Sequence, residues 1–180
     1  MLNKPTGTVS ATEDRVHKTV IDLIYEYEES TDNAHVTVRK DLFPVGRLDI
    51  DTEGLLIITN DGDLAHRLLS PKHHVNKMYF ARLDNPVTQE DVELFANGFK
   101  VDEELTAMPS KLEILKDNKE AFITIQEGKF HQVKRMFEAV GKEVQYLKRI
   151  SMGPIVLDDS LHVGECRRLT EEEINLLKNV

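Results

Sequence analysis

The sequence is poor in cysteine and in long apolar runs, and each shortage excludes a class of protein. Its one cysteine, Cys166, rules out an internal disulfide and is typical of a reducing compartment. No apolar run approaches the roughly 20 residues of a membrane span. Residues 1–15 lack the apolar core of a signal peptide. We therefore expect a cytoplasmic protein that does not enter a membrane.

Positive charge is also in short supply, with 23 lysines and arginines against 32 aspartates and glutamates and a net charge of −9. An acidic balance argues against nucleic-acid binding, for which a basic patch is expected. However, the segment 128–151 carries six basic residues against two glutamates. The six are Lys129, Lys134, Arg135, Lys142, Lys148 and Arg149. Since electrostatic steering depends on the local field, this segment indicates either a basic face or ordinary surface charge.

The remaining composition is that of a globular protein, with 40% apolar and 31% charged residues in a chain of 180. Alternation of apolar and polar residues at 111–116 and 120–128 predicts paired antiparallel strands. A short apolar run at 54–60 predicts a buried strand. Helices are predicted at 17–27, 63–70, 88–98, 129–141 and 169–180. These elements mix without a regular βαβ period, which favours an α+β fold with a largely antiparallel sheet and a polar loop at 30–41.

Three acidic residues alternate in the segment 43–62, namely Asp49, Asp51 and Glu53. Their spacing imitates the start of an EF-hand calcium loop. The twelfth position of such a loop needs a bidentate glutamate, and here it is Asn60. The pattern therefore disfavours calcium. A magnesium-dependent phosphoesterase stays an alternative, because carboxylates hold magnesium in many arrangements.

A further interpretation of the acidic cluster is covalent chemistry by one carboxylate. A carboxylate acts as a nucleophile when it is held ionised and aimed at an electrophilic carbon. It then needs a nearby cation, which keeps its pKa low, and a wall that excludes water. Lys134 or Arg135 of the basic segment could supply the cation from another part of the fold.

Four ordered groups of residues resemble the motifs of ribosomal RNA pseudouridine synthases, and together they extend over nearly the whole chain. The groups are Lys4-Pro5-x-Gly7; Gly46 to Asp49 with residues 51–56 and 60–62; Lys77-x-Tyr79; and residues 127–136 with Leu147-x-Arg149-Ile150-x-x-Gly153. Residues 70–79 and 130–137 are similar to the RsuA branch, which modifies small-subunit rRNA. Sibling branches that act on 23S rRNA share the general motifs.

The resemblance implies a pseudouridine synthase fold, a mixed, mainly antiparallel sheet flanked by helices. It also implies isomerisation of uridine to pseudouridine without a cofactor or a metal. Asp49 is then the nucleophile, Tyr79 stacks on the flipped base, and Lys134 pairs with Asp49 and keeps it ionised. Arg47 fills the space of the extruded base or contacts the RNA backbone, and Leu147 belongs to the apolar wall. The other expected substrate-binding residues are Lys4, Leu48, Lys77, His131, Gln132 and Arg135.

Members of this branch usually carry a small S4-like RNA-binding domain before the Lys-Pro-x-Gly motif, which here begins at residue 4. We therefore expect residues 1–180 to be one catalytic domain without the S4-like domain, and weak, salt-sensitive binding of naked RNA. The expected partner is ribosomal RNA or a ribosomal assembly intermediate, and the expected state is a monomer without a small-molecule cofactor. A catalytically silent RNA- or ribosome-binding module is the competing interpretation.

Overall fold

The structure is a computed structural model that describes residues 1–30 and 41–180. The predicted loop at 30–41 lies almost entirely outside the described residues. The strands are β1 (Leu2–Lys4), β2 (Phe43–Pro44), β3 (Glu53–Leu56), β4 (Ile58–Thr59), β5 (Lys77–Leu83), β6 (Phe99–Lys100), β7 (Thr106–Ala107), β8 (Lys111–Ile114), β9 (Glu120–Ile125), β10 (Val144–Met152) and β11 (Ile155–Val156). The helices are α1 (Val20–Ser30), α2 (Gly62–Leu69), α3 (Gln89–Asn97), α4 (Gln132–Ala139) and α5 (Glu171–Lys178).

A seven-stranded sheet organises the described part of the chain, in the order β1-β3-β10-β5-β9-β8, with β11 on β10. The pair β3–β10 is parallel and the other pairs of this sheet are antiparallel. β10 is nine residues long and lies between β3 and β5, so it forms the middle of the sheet. The prediction of an α+β fold with a mixed, mainly antiparallel sheet is confirmed.

Two apolar clusters hold the helices against the sheet. The larger cluster joins residues of α1, α3 and α4 to the buried side of β5, which carries Tyr79, Ala81 and Leu83. Alternate residues of β5 are buried, as expected for a strand with one face on a core. The smaller cluster joins α2 and α5 to the ends of β3 and β10. In the described part of the chain, no helix is long and apolar enough to cross a membrane.

The apolar run at 54–60 differs from its prediction as one strand. The structure divides it at Ile57, whose carbonyl oxygen accepts a hydrogen bond from the Val45 N–H at 2.8 Å. The first part, β3, joins the large sheet, whereas β4 pairs with β2. The reason is tertiary, because β3 pairs with the distant strands β1 and β10, whereas β4 pairs with the nearby β2. Neither pairing leaves a mark on the local apolar pattern.

Gly54 allows β3 to lie directly beside β10. It has a φ of +103°, and a Cβ atom at this position would lie 2.3 Å from the Arg149 carbonyl oxygen and 2.7 Å from the Arg149 nitrogen. Such contacts cannot form without moving the backbone of the central strand. We therefore expect Gly54→Ala to lower the free energy of unfolding by more than about 3 kcal/mol, measured by urea denaturation.

Gly62→Ala is the matched control for this prediction. Gly62 begins α2, and a Cβ atom there would meet nothing within 4 Å. Since alanine restricts the unfolded chain more than glycine, this variant should be as stable as the parent or gain up to about 1 kcal/mol. Equal stability of the two variants would show that β3 and β10 are farther apart in solution.

Candidate active site

The loop between β2 and β3 carries Asp49, and a buried lysine holds its backbone. The Nζ atom of Lys4 donates hydrogen bonds to the carbonyl oxygens of Pro5 (3.0 Å), Asp49 (3.0 Å) and Thr52 (2.9 Å). These three bonds use all the donors of an ammonium group. The side chain is fully buried, and this burial lowers the pKa of Lys4 to about 8. Lys4 therefore holds the loop and has no donor left over for a substrate, so its predicted contact with the substrate stays a prediction.

Ser10 holds the same loop from the other side. Its hydroxyl group donates to the Leu48 carbonyl oxygen and accepts from the Leu48 N–H, both at 3.0 Å. The loop closes on itself through the Thr52 N–H, which donates to the Asp49 carbonyl oxygen at 3.0 Å. Sequence reasoning missed Ser10, because it lies outside the motifs and 38 residues from its partner. The backbone of Asp49 is thus held by residues on both sides.

The carboxylate of Asp49 meets a cation from helix α4. Its Oδ2 atom lies 3.3 Å from the Nζ atom of Lys134, and its Oδ1 atom lies 3.6 Å from the Nε2 atom of His131. Lys134 also donates to Asp51 Oδ1 at 2.5 Å, so one lysine joins the two aspartates. Burial raises the pKa of the Asp51 carboxyl, but the hydrogen bond and charge of Lys134 outweigh it, so this pKa lies below its usual value. The Asp49 side chain is 26% exposed, which leaves it open to a ligand.

Glu53, the third acid of the cluster, has a different partner. Its Oε2 atom accepts a hydrogen bond from the Tyr146 hydroxyl group at 2.7 Å. Burial, and then this hydrogen bond, raise the pKa of Tyr146 to about 12. Glu53 therefore joins β3 to β10, whereas Asp49 and Asp51 share Lys134. Across residues 1–30 and 41–180, no group of three or more His, Cys, Asp or Glu side chains is arranged to hold a metal ion.

The floor of the site is apolar and comes from the middle of the sheet. Tyr79 of β5 and Leu147 of β10 lie on adjacent strands, and both are buried. With Ile125 of β9 they line an open cleft that also holds Asp49. The cleft brings together eight of the predicted site residues, which are Arg47, Leu48, Asp49, Tyr79, His131, Gln132, Lys134 and Leu147. A flat apolar floor beside a carboxylate and a cation suits a planar, polar ligand such as a nucleobase.

The chain matches the sequence profile of the RNA pseudouridylate synthase family over residues 1–139. It belongs to this family. It is 49% identical over 180 residues to the "Uncharacterized RNA pseudouridine synthase YtzG" of Bacillus subtilis (strain 168), covering 98% of this chain and 72% of that one. It is 44% identical over 175 residues to the "Ribosomal small subunit pseudouridine synthase A" of Escherichia coli (strain K12), covering 97% and 71%.

Solved structures agree with the assignment to the pseudouridylate synthase family. A "Crystal structure of pseudouridylate synthase" superposes with a TM-score of 0.84 at 40% identity, covering 98% of this chain and 71% of that chain. An archaeal box H/ACA sRNP Nop10–Cbf5 complex superposes with a TM-score of 0.57 at 18% identity, covering 91% and 50%. The second likeness concerns the fold alone. The predicted family and enzyme class are therefore confirmed, whereas the roles of individual site residues stay predictions.

Two further predicted residues of this pseudouridylate synthase lie outside the cleft lining. The Arg135 guanidinium forms a two-pronged ion pair with Asp102, at 2.8 Å from Nε and 2.7 Å from Nη2. Lys77 is buried, and its Nζ atom donates to the Val75 carbonyl oxygen at 3.2 Å. In the structure these two cations are therefore engaged by the protein itself, and their predicted contacts with a substrate stay predictions. The motif pattern could not reveal this, because it does not tell which way a side chain points.

Gln132 and Glu127 form a buried polar pair behind the cleft wall. Gln132 Nε2 donates to Glu127 Oε2 at 2.8 Å, and the same carboxylate accepts from the Met108 N–H at 2.9 Å. Burial raises the pKa of Glu127, but its hydrogen bonds, first that from Lys129, bring it below the usual value. Sequence reasoning included Gln132 among the site residues and missed Glu127, although Glu127 begins the fourth group of motif residues. This pair holds the turn before α4 in place.

The buried charge of Lys77 predicts a pH dependence of stability. Burial, and then the charge of Arg149, lower the pKa of Lys77 from 10.5 to about 8. Below pH 8 this lysine is charged in both the folded and the unfolded protein, and the folded protein bears the full cost of burying the charge. Between pH 8 and 10.5 the folded state releases the proton first, so the parent gains stability as the pH rises.

Lys77→Met removes this titration. We expect the free energy of unfolding of Lys77→Met, relative to the parent, to fall by up to about 3 kcal/mol between pH 8 and 10.5. Urea denaturation of both proteins at several pH values measures this difference. Lys18→Met, at an exposed lysine that pairs with Glu26, is the control and should give a nearly constant difference. A constant difference for Lys77→Met would mean that Lys77 is solvated in the folded state.

Proposed function

We propose that this chain isomerises one uridine of small-subunit ribosomal RNA to pseudouridine, with Asp49 as the nucleophile. The observation that carries the proposal is the position of the Asp49 carboxylate, 3.3 Å from Lys134 and beside the apolar floor of the cleft. The relative named ribosomal small subunit pseudouridine synthase A, 44% identical over nearly the whole chain, supports this choice of RNA.

The reaction rearranges the bonds of a single nucleotide. The bond between C1′ of the ribose and N1 of uracil breaks, the base turns, and a bond from C1′ to C5 replaces it. The proton on C5 leaves, and N1 gains one, so the product is an isomer of the substrate. Asp49 attacks the flipped uridine at the sugar or the base and leaves again at the end, which is covalent catalysis that regenerates the carboxylate.

The cleft floor supports the base while its bonds change. A uridine in folded RNA must leave its stack first, which costs a few kcal/mol. Stacking on an aromatic side chain returns about 1–3 kcal/mol, and Tyr79 supplies the aromatic ring in this cleft. Leu147 on the neighbouring strand adds an apolar surface that excludes water from the reacting atoms. Tyr79 thus stacks on the base, and Leu147 packs beneath it.

The charged groups around the cleft divide into two tasks. Lys134 orients the Asp49 carboxylate and offsets its charge. Because it pairs with Asp51 as well, it also fixes the arrangement of the loop. Arg47 is exposed at the cleft, where it contacts a phosphate or fills the space that the extruded base leaves. We further propose that the substrate is free rRNA or an assembly intermediate in the cytoplasm, and that the chain acts as a monomer without a small-molecule cofactor.

Comparison of rRNA from cells with and without this gene tests the proposal. Mapping of pseudouridine in both subunits should show one small-subunit position that loses the modification in the deletion strain. The gene supplied on a plasmid should restore it. Loss of a 23S position instead would assign the chain to a sibling activity, and identical maps would refute a role in rRNA modification.

A further inference from the structure

An aromatic side chain faces solvent next to the cleft. Phe130 is 71% exposed, although large apolar side chains normally lose most of their exposed area on folding. One face of its ring stacks on the His131 imidazole, with ring centroids 3.8 Å apart and an angle of 16° between the ring planes. The other face is therefore the part of the ring that faces solvent. A flat aromatic face of this kind is a typical platform for a nucleobase.

Backbone and side-chain contacts hold this aromatic pair in place. His131 has a φ of +48°, a rare backbone conformation for a residue other than glycine. It is the N-cap residue of α4, and its carbonyl oxygen accepts from the Arg135 N–H at 3.0 Å. The Arg135 Nη1 atom donates to the Phe130 carbonyl oxygen at 3.3 Å, and Asp102 anchors that guanidinium. Arg135 thus positions the platform, although it does not line the cleft.

The platform lies one aromatic layer from the proposed reaction centre. The Nε2 atom of His131 is 3.6 Å from the Asp49 carboxylate, and Phe130 stacks on the same imidazole. A base on the outer face of Phe130 would extend this stack by one layer. When a uridine flips into the cleft, its neighbour in the strand loses a stacking partner. Phe130 offers that neighbour a replacement.

We infer that the outer face of Phe130 is a stacking site for an unpaired nucleobase close to the target uridine in the same RNA strand. The inference rests on the proposed action on RNA and specifies its substrate as one with an unpaired base beside the modified uridine. The floor of the cleft binds the uridine, and the Phe130 platform binds its neighbour. The recognition tolerates different bases, since every base has a π-face.

Fluorescence of 2-aminopurine, which is quenched when this base stacks, tests the inference by binding alone. The probes are cytidine nonamers with one central uridine and one 2-aminopurine, placed one to three positions to either side. The full chain should quench the fluorescence most strongly at one of these positions. Phe130→Tyr should keep the quench, whereas Phe130→Ala and Phe130→Leu should abolish it. Both should raise Kd for that nonamer about 5- to 150-fold, equivalent to about 1–3 kcal/mol.

Two controls separate the platform from other roles. Asp49→Asn should keep the quench, because the carboxylate does not touch the platform base. Thermal unfolding of the Phe130 variants should match the parent, since the side chain is largely exposed. Absence of a quench at every position would overturn the inference. An equal quench and an equal Kd in Phe130→Ala and the parent would also overturn it, and the exposed ring would then suit an apolar protein partner instead. The rRNA maps are read separately, so a quench without a missing pseudouridine would refute the proposed function and leave the platform in place.

Discussion

Asp49→Asn should reduce pseudouridine formation at least about 10³-fold, because loss of a nucleophile removes the covalent path altogether. Asparagine has almost the shape of aspartate, so the loop keeps its hydrogen bonds from Lys4 and Thr52, which involve only the Asp49 carbonyl oxygen. The measurement is tritium release from C5-labelled uridine in small-subunit rRNA under single-turnover conditions. The Kd for the RNA should change less than about threefold, which is within the range that a single exposed charge contact contributes.

Asp51→Asn is the matched control for this prediction. Asp51 lies on the same loop, contacts the same lysine and is 66% exposed. The Asp51 carboxylate is not among the groups that line the cleft. Tritium release should therefore stay within about tenfold of the parent, a change that the loss of its contact with Lys134 explains. Full activity of Asp49→Asn would refute the nucleophilic role. The reverse result, with Asp51→Asn inactive, would move the chemistry to the second aspartate.

Lys134→Met should lower kcat for tritium release about 10²- to 10³-fold, the usual cost of removing one oriented charge from an active site. The Nζ atom lies 3.3 Å from Asp49 Oδ2 and 2.5 Å from Asp51 Oδ1. Without it, two carboxylates on one loop repel each other, and Asp49 loses its fixed orientation. Because Lys134 acts through Asp49, KM for the RNA should change much less than kcat.

Two variants show whether position or charge alone explains this effect. Lys134→Arg keeps a cation on the third residue of α4 and should restore most of kcat. Lys129→Met removes another lysine of the cleft lining, whose Nζ atom lies 2.8 Å from Glu127 Oε1, and should leave kcat unchanged. A large rise in KM with an unchanged kcat for Lys134→Met would show that Lys134 binds RNA rather than positioning Asp49.

These variants also separate the enzyme from the competing interpretation as a silent RNA-binding module. A binding module would hold RNA equally well with aspartate or asparagine at position 49 and would release no tritium in either form. The cleft favours an enzyme, because it brings the Asp49 carboxylate to the same cavity as the buried floor of Tyr79 and Leu147. Binding alone does not require a carboxylate that faces the polyanion.

Much of the fold followed from local pattern. Thr88 and Thr170 both form capping boxes, with Asp91 and Glu173 as their respective partners, and these helices begin within two residues of their predicted starts. Helix α4 is shorter than its prediction, because the left-handed His131 blocks helix before residue 132. The strands β8 and β9 form the antiparallel pair that the alternation of apolar and polar residues predicted. Local backbone preference and side-chain periodicity suffice for such elements, since they do not depend on distant partners.

The motifs in the sequence were sufficient to name the family and the enzyme class, and they predict Asp49 as the nucleophile. They could not distinguish residues that face the cleft from residues that hold it. The motifs suggested RNA contacts by three cations, Lys4, Lys77 and Arg135. In the structure the two lysines are buried and the arginine forms an ion pair. Packing sets the direction in which a side chain points. Whether a lysine meets a phosphate or three carbonyl oxygens depends on which strands and loops surround it. The same packing brings Lys134 to Asp49 and leaves Phe130 exposed beside them, relations that arise only when helix α4 docks against the loop before β3.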